Sequence, residues 1–82
     1  MKAVHRLEIE CRCPVDDRAD LYDAEIHVAR VLPVEDILRA ASVARTMVVF
    51  QEDLTVWLSR ELNAKVVTRG CHSGVSTEVS AP

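Results

Sequence analysis

The sequence predicts an α+β domain, a four-stranded antiparallel sheet with two helices on one face, in the order β-β-α-α-β-β. Three patterns carry the prediction. Two stretches near the start alternate apolar and polar residues. Two in the middle repeat apolar residues at spacings of three and four. A glycine-bracketed turn then separates two short runs rich in Val and Thr.

In the first strand His5, Leu7, Ile9, Cys11 and Cys13 fall on one face, and Arg6, Glu8, Glu10 and Arg12 on the other. Period two over this length describes a half-buried strand. Pro14 removes a ladder donor, and Pro14 to Asp20 reads as a polar loop. Tyr22, Ala24, Ile26 and Val28 alternate against Asp23, Glu25 and His27 in the second strand, whose pattern slips at Ala29–Val31. Pro33 suits the entry to a helix, with Glu35 and Asp36 in its first turn, where negative charge meets the positive end of the dipole. Its expected apolar stripe is Val34, Ile37, Leu38, Ala41 and Val43 or Ala44. Thr46–Val49 fits either helix or extended chain. A second helix from about Phe50 carries Leu54, Trp57, Leu58 and Leu62, with Asn63 as its stop. Val66–Thr68 and Val75–Val79 read as strands, joined by a turn over Gly70–Gly74. Strands adjacent in sequence pair most simply with one another, which gives the antiparallel sheet.

The 82 residues make one domain, 1–82, small enough to be marginal alone. An open sheet of this kind leaves two edges and a bare face, so a homo-oligomer pairing edge to edge is expected. At 49% hydrophobic and 28% charged the chain is globular in composition, and with 4% aromatic residues its core must be aliphatic. A net charge of −3 argues against a broad nucleic-acid-binding surface, so nucleic acid is expected at most as a substrate. No apolar run is long enough for a membrane span, and charged residues interrupt every leader-like stretch. The three cysteines cannot all pair with one another, which points to free thiols and a cytoplasmic setting.

Cys13 stands at a strand end before Pro14, and Asp20 opens the next strand seven residues on. A thiol and a carboxylate flanking one hairpin loop can supply a nucleophile and a proton-transfer partner; the plain alternative is a packed cysteine. Cys11, Cys13, Cys71 and His72 offer zinc ligands, though not at the spacings that wrap a metal. Glu52 sits where a helix N-terminus favours negative charge. Arg69, before the glycine turn, is available to an anion or carboxylate.

These residues fall into one pattern. Cys13-Pro14-Val15 followed by Asp20 resembles the Cys-Pro-x-Thr-Gly-Gln-Pro-Asp signature of the QueF family, with the same interval from Cys to Asp. Phe50-Gln51-Glu52-Asp53 resembles its Phe-His-Glu-Asp, and Arg69-Gly70 the start of its Arg-Gly-Gly. The family comprises the nitrile reductases of 7-cyano-7-deazaguanine and the QueF-like amidinotransferases, of queuosine- and archaeosine-type metabolism, in the tunnelling fold. The resemblance implies that Cys13 attacks a nitrile carbon to form a thioimide. It makes Asp20 the general acid/base and Glu52 the anchor of the amino-pyrimidine edge, with Arg69 and His72 also binding substrate in sites between subunits. The family's Glu-Ser-Lys-Ser-x-Lys segment, which handles NADPH in the reductases, is here Glu35-Asp36-Ile37-Leu38-Arg39-Ala40, without a lysine or serine. That absence implies the amidinotransferase branch and no cofactor. The signature's middle is Asp16-Asp17-Arg18-Ala19, and Arg-Gly-Gly has become Arg69-Gly70-Cys71.

Two alternatives accompany this expectation. Gln51-Glu52-Asp53-Leu54-Thr55 resembles the Gln-Glu-Arg-Leu-Thr of the zinc-dependent type I GTP cyclohydrolases, whose strand-end Cys-x-x-His pair is missing after Cys13. The other is a binding or assembly module that kept the fold without the reaction.

Overall fold

A computed structural model describes residues 1–82. Its elements are β1 (Ala3–Arg12), β2 (Ala19–Val28), α1 (Val34–Ala44), α2 (Gln51–Leu62), β3 (Lys65–His72) and β4 (Val75–Ala81). The strands form one antiparallel sheet in sequence order. Alternation divides the sheet into two faces. Ile9, Cys11, Tyr22, Ala24, Ile26, Val28 and Val66 turn inward and are buried with Leu54, Leu58 and Leu62 of α2 and Ile37, Ala40 and Ala44 of α1. Arg6, Glu8, Glu25, Arg69 and Glu78 stand on the other face. No helix is long and apolar enough to cross a membrane.

The α1 stripe is narrower than expected. Ile37, Ala40 and Ala44 are buried, while Val34, Leu38 and Val43 are exposed. Small side chains at 40 and 44 let the helix sit close to the layer beneath, and its flanks stay outside. Asn63 ends α2 in the left-handed region at φ 47°, and the Ala64 N–H donates back to the Ser59 carbonyl at 3.0 Å. Thr46–Val49 is not helical. Its extended part docks on the end of β1, where the Arg12 N–H donates to the Met47 carbonyl at 2.9 Å and the Val49 N–H to the Arg12 carbonyl at 3.1 Å.

The expected five-residue turn shrinks to two residues, Ser73 at φ 52° and Gly74 at φ 81°, as a tight hairpin requires. Gly70 lies instead within β3, and its missing side chain makes room for a neighbour. A Cβ there would lie 2.6 Å from Tyr22 Cε1. Gly70→Ala should therefore destabilise the domain by about 1–3 kcal/mol, the usual result of overpacking. Urea denaturation would register this as a lower midpoint at unchanged slope; an unchanged midpoint would mean that Tyr22 moves aside freely.

Candidate functional site

A cleft of about 420 Å³ opens where the β1–β2 loop, the start of α2 and the β3–β4 hairpin meet. Cys13, Val15, Asp16, Asp20, Tyr22, Phe50, Gln51, Glu52, His72, Ser73 and Thr77 line it. Four residues singled out by the sequence, Cys13, Asp20, Glu52 and His72, thus share one concavity. A second hollow of about 380 Å³, between α1 and the end of α2, is lined by Arg30, Asp36, Arg39 and Glu61 among others and contains no nucleophile.

The loop that presents Cys13 is closed by its own backbone. The Cys13 N–H donates to the Arg18 carbonyl at 2.8 Å, and the Asp17 N–H donates to the Cys13 carbonyl at 2.9 Å. Asp16 Oδ1 accepts the Arg18 N–H at 3.1 Å, and Asp17 takes up φ 58°. That backbone bond holds the Asp16 carboxyl below the usual carboxylate range, and the Cys13 thiol beside it adds to the effect. The sheet brings Asp20 to the same face, since it pairs across the ladder with Cys11, two residues before Cys13.

Tyr22 and His72 complete that wall. The Tyr22 hydroxyl lies 2.9 Å from His72 Nε2 and 3.4 Å from Asp20 Oδ2, and His72 Nδ1 is 3.9 Å from Asp20 Oδ1. The two rings tilt against each other at 54° with centroids 5.7 Å apart. Burial, reinforced by Asp20, pushes the Tyr22 hydroxyl's pKa upward, so it stays protonated. Behind it Cys11 is fully buried, donates weakly to the Val49 carbonyl at 3.7 Å, and is pushed up to about 11 by desolvation and by Asp20.

Opposite, a buried polar cluster fixes the start of α2. Gln51 Nε2 donates to the Thr77 carbonyl at 3.1 Å and to the Thr68 hydroxyl at 3.2 Å. Thr55 donates to the Gln51 carbonyl at 2.7 Å and meets the Thr68 hydroxyl at 2.7 Å. Glu52 follows directly, exposed at the cleft, its carboxylate without a hydrogen bond or ion pair within the chain.

Arg69 is not brought into the cleft. One residue from Gly70 along an alternating strand, it emerges on the opposite face, 3.1 Å from Glu25 and 2.8 Å from Glu78. Cys71 leaves on that face too, while His72 returns to the cleft side. Cys71 is exposed and Cys11 is buried, and no three His, Cys, Asp or Glu side chains gather as a metal-holding group. The zinc-ligand set of Cys11, Cys13, Cys71 and His72 is therefore not assembled within the chain. Sequence reasoning missed Asp16, Tyr22 and Gln51. For Tyr22 a signal existed, since its inward register puts it beside Asp20; for Gln51 the signal was a polar residue on the buried side of α2.

Thiol exposure and chemistry separate the three cysteines. At pH 8 iodoacetamide should modify exposed Cys71 and cleft-lining Cys13 first. Cys11, whose pKa lies near 11 rather than 9.0, should lag by at least about a hundredfold from thiolate supply alone. Peptide mass spectrometry against time reads this directly, and equal rates would mean that the Cys11 site opens readily. Because folding raises this pKa, the folded state holds the proton more tightly than the unfolded chain. Stability attributable to Cys11 is thus intact below pH 9 and declines as pH rises toward about 11.

No protein-family model matches the chain, and no curated protein matches it in sequence. Among solved structures it is similar to the apo crystal structure of the archaeosine synthase QueF-Like, with a TM-score of 0.83 and 21% identity. The match covers 98% of this chain and 90% of that one. At this identity the likeness speaks for the fold: the chain has the tunnelling fold, in the form seen in QueF-like structures.

Proposed function

We propose that the protein is a cysteine-dependent enzyme acting on a nitrile-bearing deazapurine or a related purine- or pterin-like heterocycle. The observation that supports this most is the convergence of Cys13, Asp20 and Glu52, from a loop, a strand and a helix, on one cleft. In this reading the Cys13 thiolate adds to the nitrile carbon. An electron pair of the C≡N bond moves to nitrogen, which takes a proton from the Asp20 carboxyl, leaving a covalent thioimide and a carboxylate. Glu52 accepts two adjacent N–H donors of the heterocycle, a pairing that a carboxylate's two oxygens match.

The second step is attack by a nitrogen nucleophile on the thioimide carbon, whose proton returns to the Asp20 carboxylate as the Cys13 thiolate leaves and an amidine forms. Reduction by NADPH is not part of the proposal. Glu35–Ala40 forms the first turns of α1 without a lysine, and its one cation, Arg39, is paired with Asp36 at 2.9 Å. The free edges of β1 and β4 support assembly of several copies edge to edge. Native mass spectrometry should then show a multimer, whereas a monomer would confine the site to one chain.

Intact-protein mass spectrometry after incubation with 7-cyano-7-deazaguanine should show an adduct one substrate mass heavier. The adduct should vanish in Cys13→Ala, which keeps the loop's backbone bonds and should stay folded. No adduct with wild type would move the balance to a non-catalytic module. Glu52→Gln should weaken ligand binding roughly 10- to 100-fold, the range for losing a charged hydrogen-bond acceptor. Unchanged affinity would reject Glu52 as the anchor.

A further inference from the structure

The outer face of the sheet carries a row of ion pairs whose two ends are unmatched. Arg6 on β1 meets Glu25 on β2 at 3.3 Å, Glu25 meets Arg69 on β3 at 3.1 Å, and Arg69 meets Glu78 on β4 at 2.8 Å. The signs alternate, so the row ends in a cation at the β1 edge and in an anion at the β4 edge. Both edges are free, and the same two residues carry edge-facing backbone groups. On β1 the even-numbered residues turn to the edge. There the Arg12 N–H and C=O meet Met47 and Val49, whereas the Cys13 N–H bonds Arg18 on the inner side. On β4 the turn of Ser73 and Gly74 pairs His72 with Val75, which leaves Ser76, Glu78 and Ser80 facing the edge.

We propose that β4 of one copy adds to β1 of the next, head to tail and antiparallel, with Glu78 directly opposite Arg6. The pairing rests on the edge-to-edge assembly stated above and not on the thioimide chemistry. Strand directions alternate across the sheet, so a β4 laid beside a neighbouring β1 is antiparallel with the helices of both copies on one side. In this register Val4 meets Ser80 and Glu8 meets Ser76, each pair exchanging two backbone bonds. Shifting β4 by two residues one way sets Glu78 against Glu8. The other way sets it against Val4 and leaves both charges without a partner. Two β4 edges paired about their centre would put Glu78 on Glu78.

The Thr46–Val49 segment covers Arg12, so the neighbour's strand fits along Val4–Glu10. On the helix side the same register sets Leu7 opposite Thr77 and Ile9 opposite Val75. Leu7 lines a hollow of about 350 Å³ along the β1 edge, together with Leu38, Ala41 and Arg45 of α1 and its end. Leu38 is 56% and Val75 63% exposed, so both edges offer apolar surface to cover. Thr77 lines the cleft, and the next copy therefore walls the cleft on its β4 side.

Charge reversal tests the matching of the two ends. Arg6→Glu and Glu78→Arg should each weaken self-association at least about tenfold, because each sets like charges opposite. Mixing the two variants should restore it, since alternating copies present opposite charges at every contact. The pairs with Glu25 and Arg69 stay broken within each chain, so recovery on mixing reports the interface alone. Glu78→Arg associating like wild type, or a mixture no tighter than its parts, would overturn the proposal. The register is tested by Val4→Cys and Ser80→Cys in one chain. Within a chain these positions lie three strand spacings apart, about 14 Å, beyond a disulfide's reach, whereas paired copies bring their Cα atoms to about 5.5 Å. Mild oxidation should give covalent multimers in which peptide mass spectrometry finds the thiol at position 4 bonded to that at position 80. Multimers linked only between like positions would overturn the pairing and leave the assembly reading standing. A wild type that stays monomeric in native mass spectrometry would remove the assembly and this proposal with it.

Discussion

The cleft depends on one packing contact, the Tyr22 ring seated over Gly70. The ring is buried between β2 and the helices, and β3 passes it at the only strand position without a side chain. With any Cβ at 70 the two would collide, and either the ring would tilt or β3 would draw away from β2. Both responses would disturb the same set of groups. Tyr22 holds its hydroxyl between Asp20 and His72, and the adjoining register, Ala24 opposite Thr68, sets the Thr68 hydroxyl against Thr55 and Gln51 at the start of α2. Side chains from three elements are thereby fixed relative to one packing contact.

Alternation along β3 distributes the remaining chemistry. Gly70 and His72 serve the cleft, and Arg69 and Cys71 serve the outer face. There Arg6, Glu25, Arg69 and Glu78 form a row of ion pairs running across all four strands, joined by His27 at 3.0 Å from Glu25. The Glu25 carboxyl is held below its usual range, first by His27 and then by Arg69 and Arg6. Single exposed pairs of this sort contribute little. A row with one shared carboxylate has a different consequence: it links all four strands, Arg6 opposite Glu25 and Arg69 opposite Glu78.

The fold was legible because its signals are local. Period two in β1 and β2, Pro33 before α1 and Asn63 after α2 each declare themselves within a few residues. Cys13 and Asp20 were legible as a pair because a short hairpin ties sequence interval to spatial register. What failed was whatever depended on a partner far along the chain. Gly70 looks like a turn residue unless one knows that Tyr22 packs against it. Arg69 matches a motif by spelling, yet its side depends on where β3 ends, and the strand runs to His72 rather than stopping before the glycine. Gln51 looks like a surface residue until Thr68 and Thr77 arrive to bond it. The exposed side of α1 was misjudged for the same reason, since the helix's own spacing does not say how close the sheet lies.

The interval between Cys13 and Asp20 has a geometric cause that survives a change of sequence. The Cys13 N–H closes on the Arg18 carbonyl, so residues 14–17 make the whole reversal. From Arg18 the ladder runs back in register, Ala19 opposite Arg12 and Asp20 opposite Cys11. Side chains alternate, so Asp20 shares a face with Cys11 and hence with Cys13 only while that count holds. One residue more or fewer, in an otherwise unchanged ladder, would turn the carboxylate to the ion-pair face. The loop's composition is freer than its length. Where the family signature has Thr-Gly-Gln-Pro, this chain turns with an Asp16 side chain bonded to the Arg18 N–H and an Asp17 in the left-handed region, a conformation that Asp adopts at modest cost. That substitution also brings a carboxylate to the thiol. The thiol in turn helps hold the Asp16 carboxyl below its usual range, after the stronger bond from the Arg18 N–H.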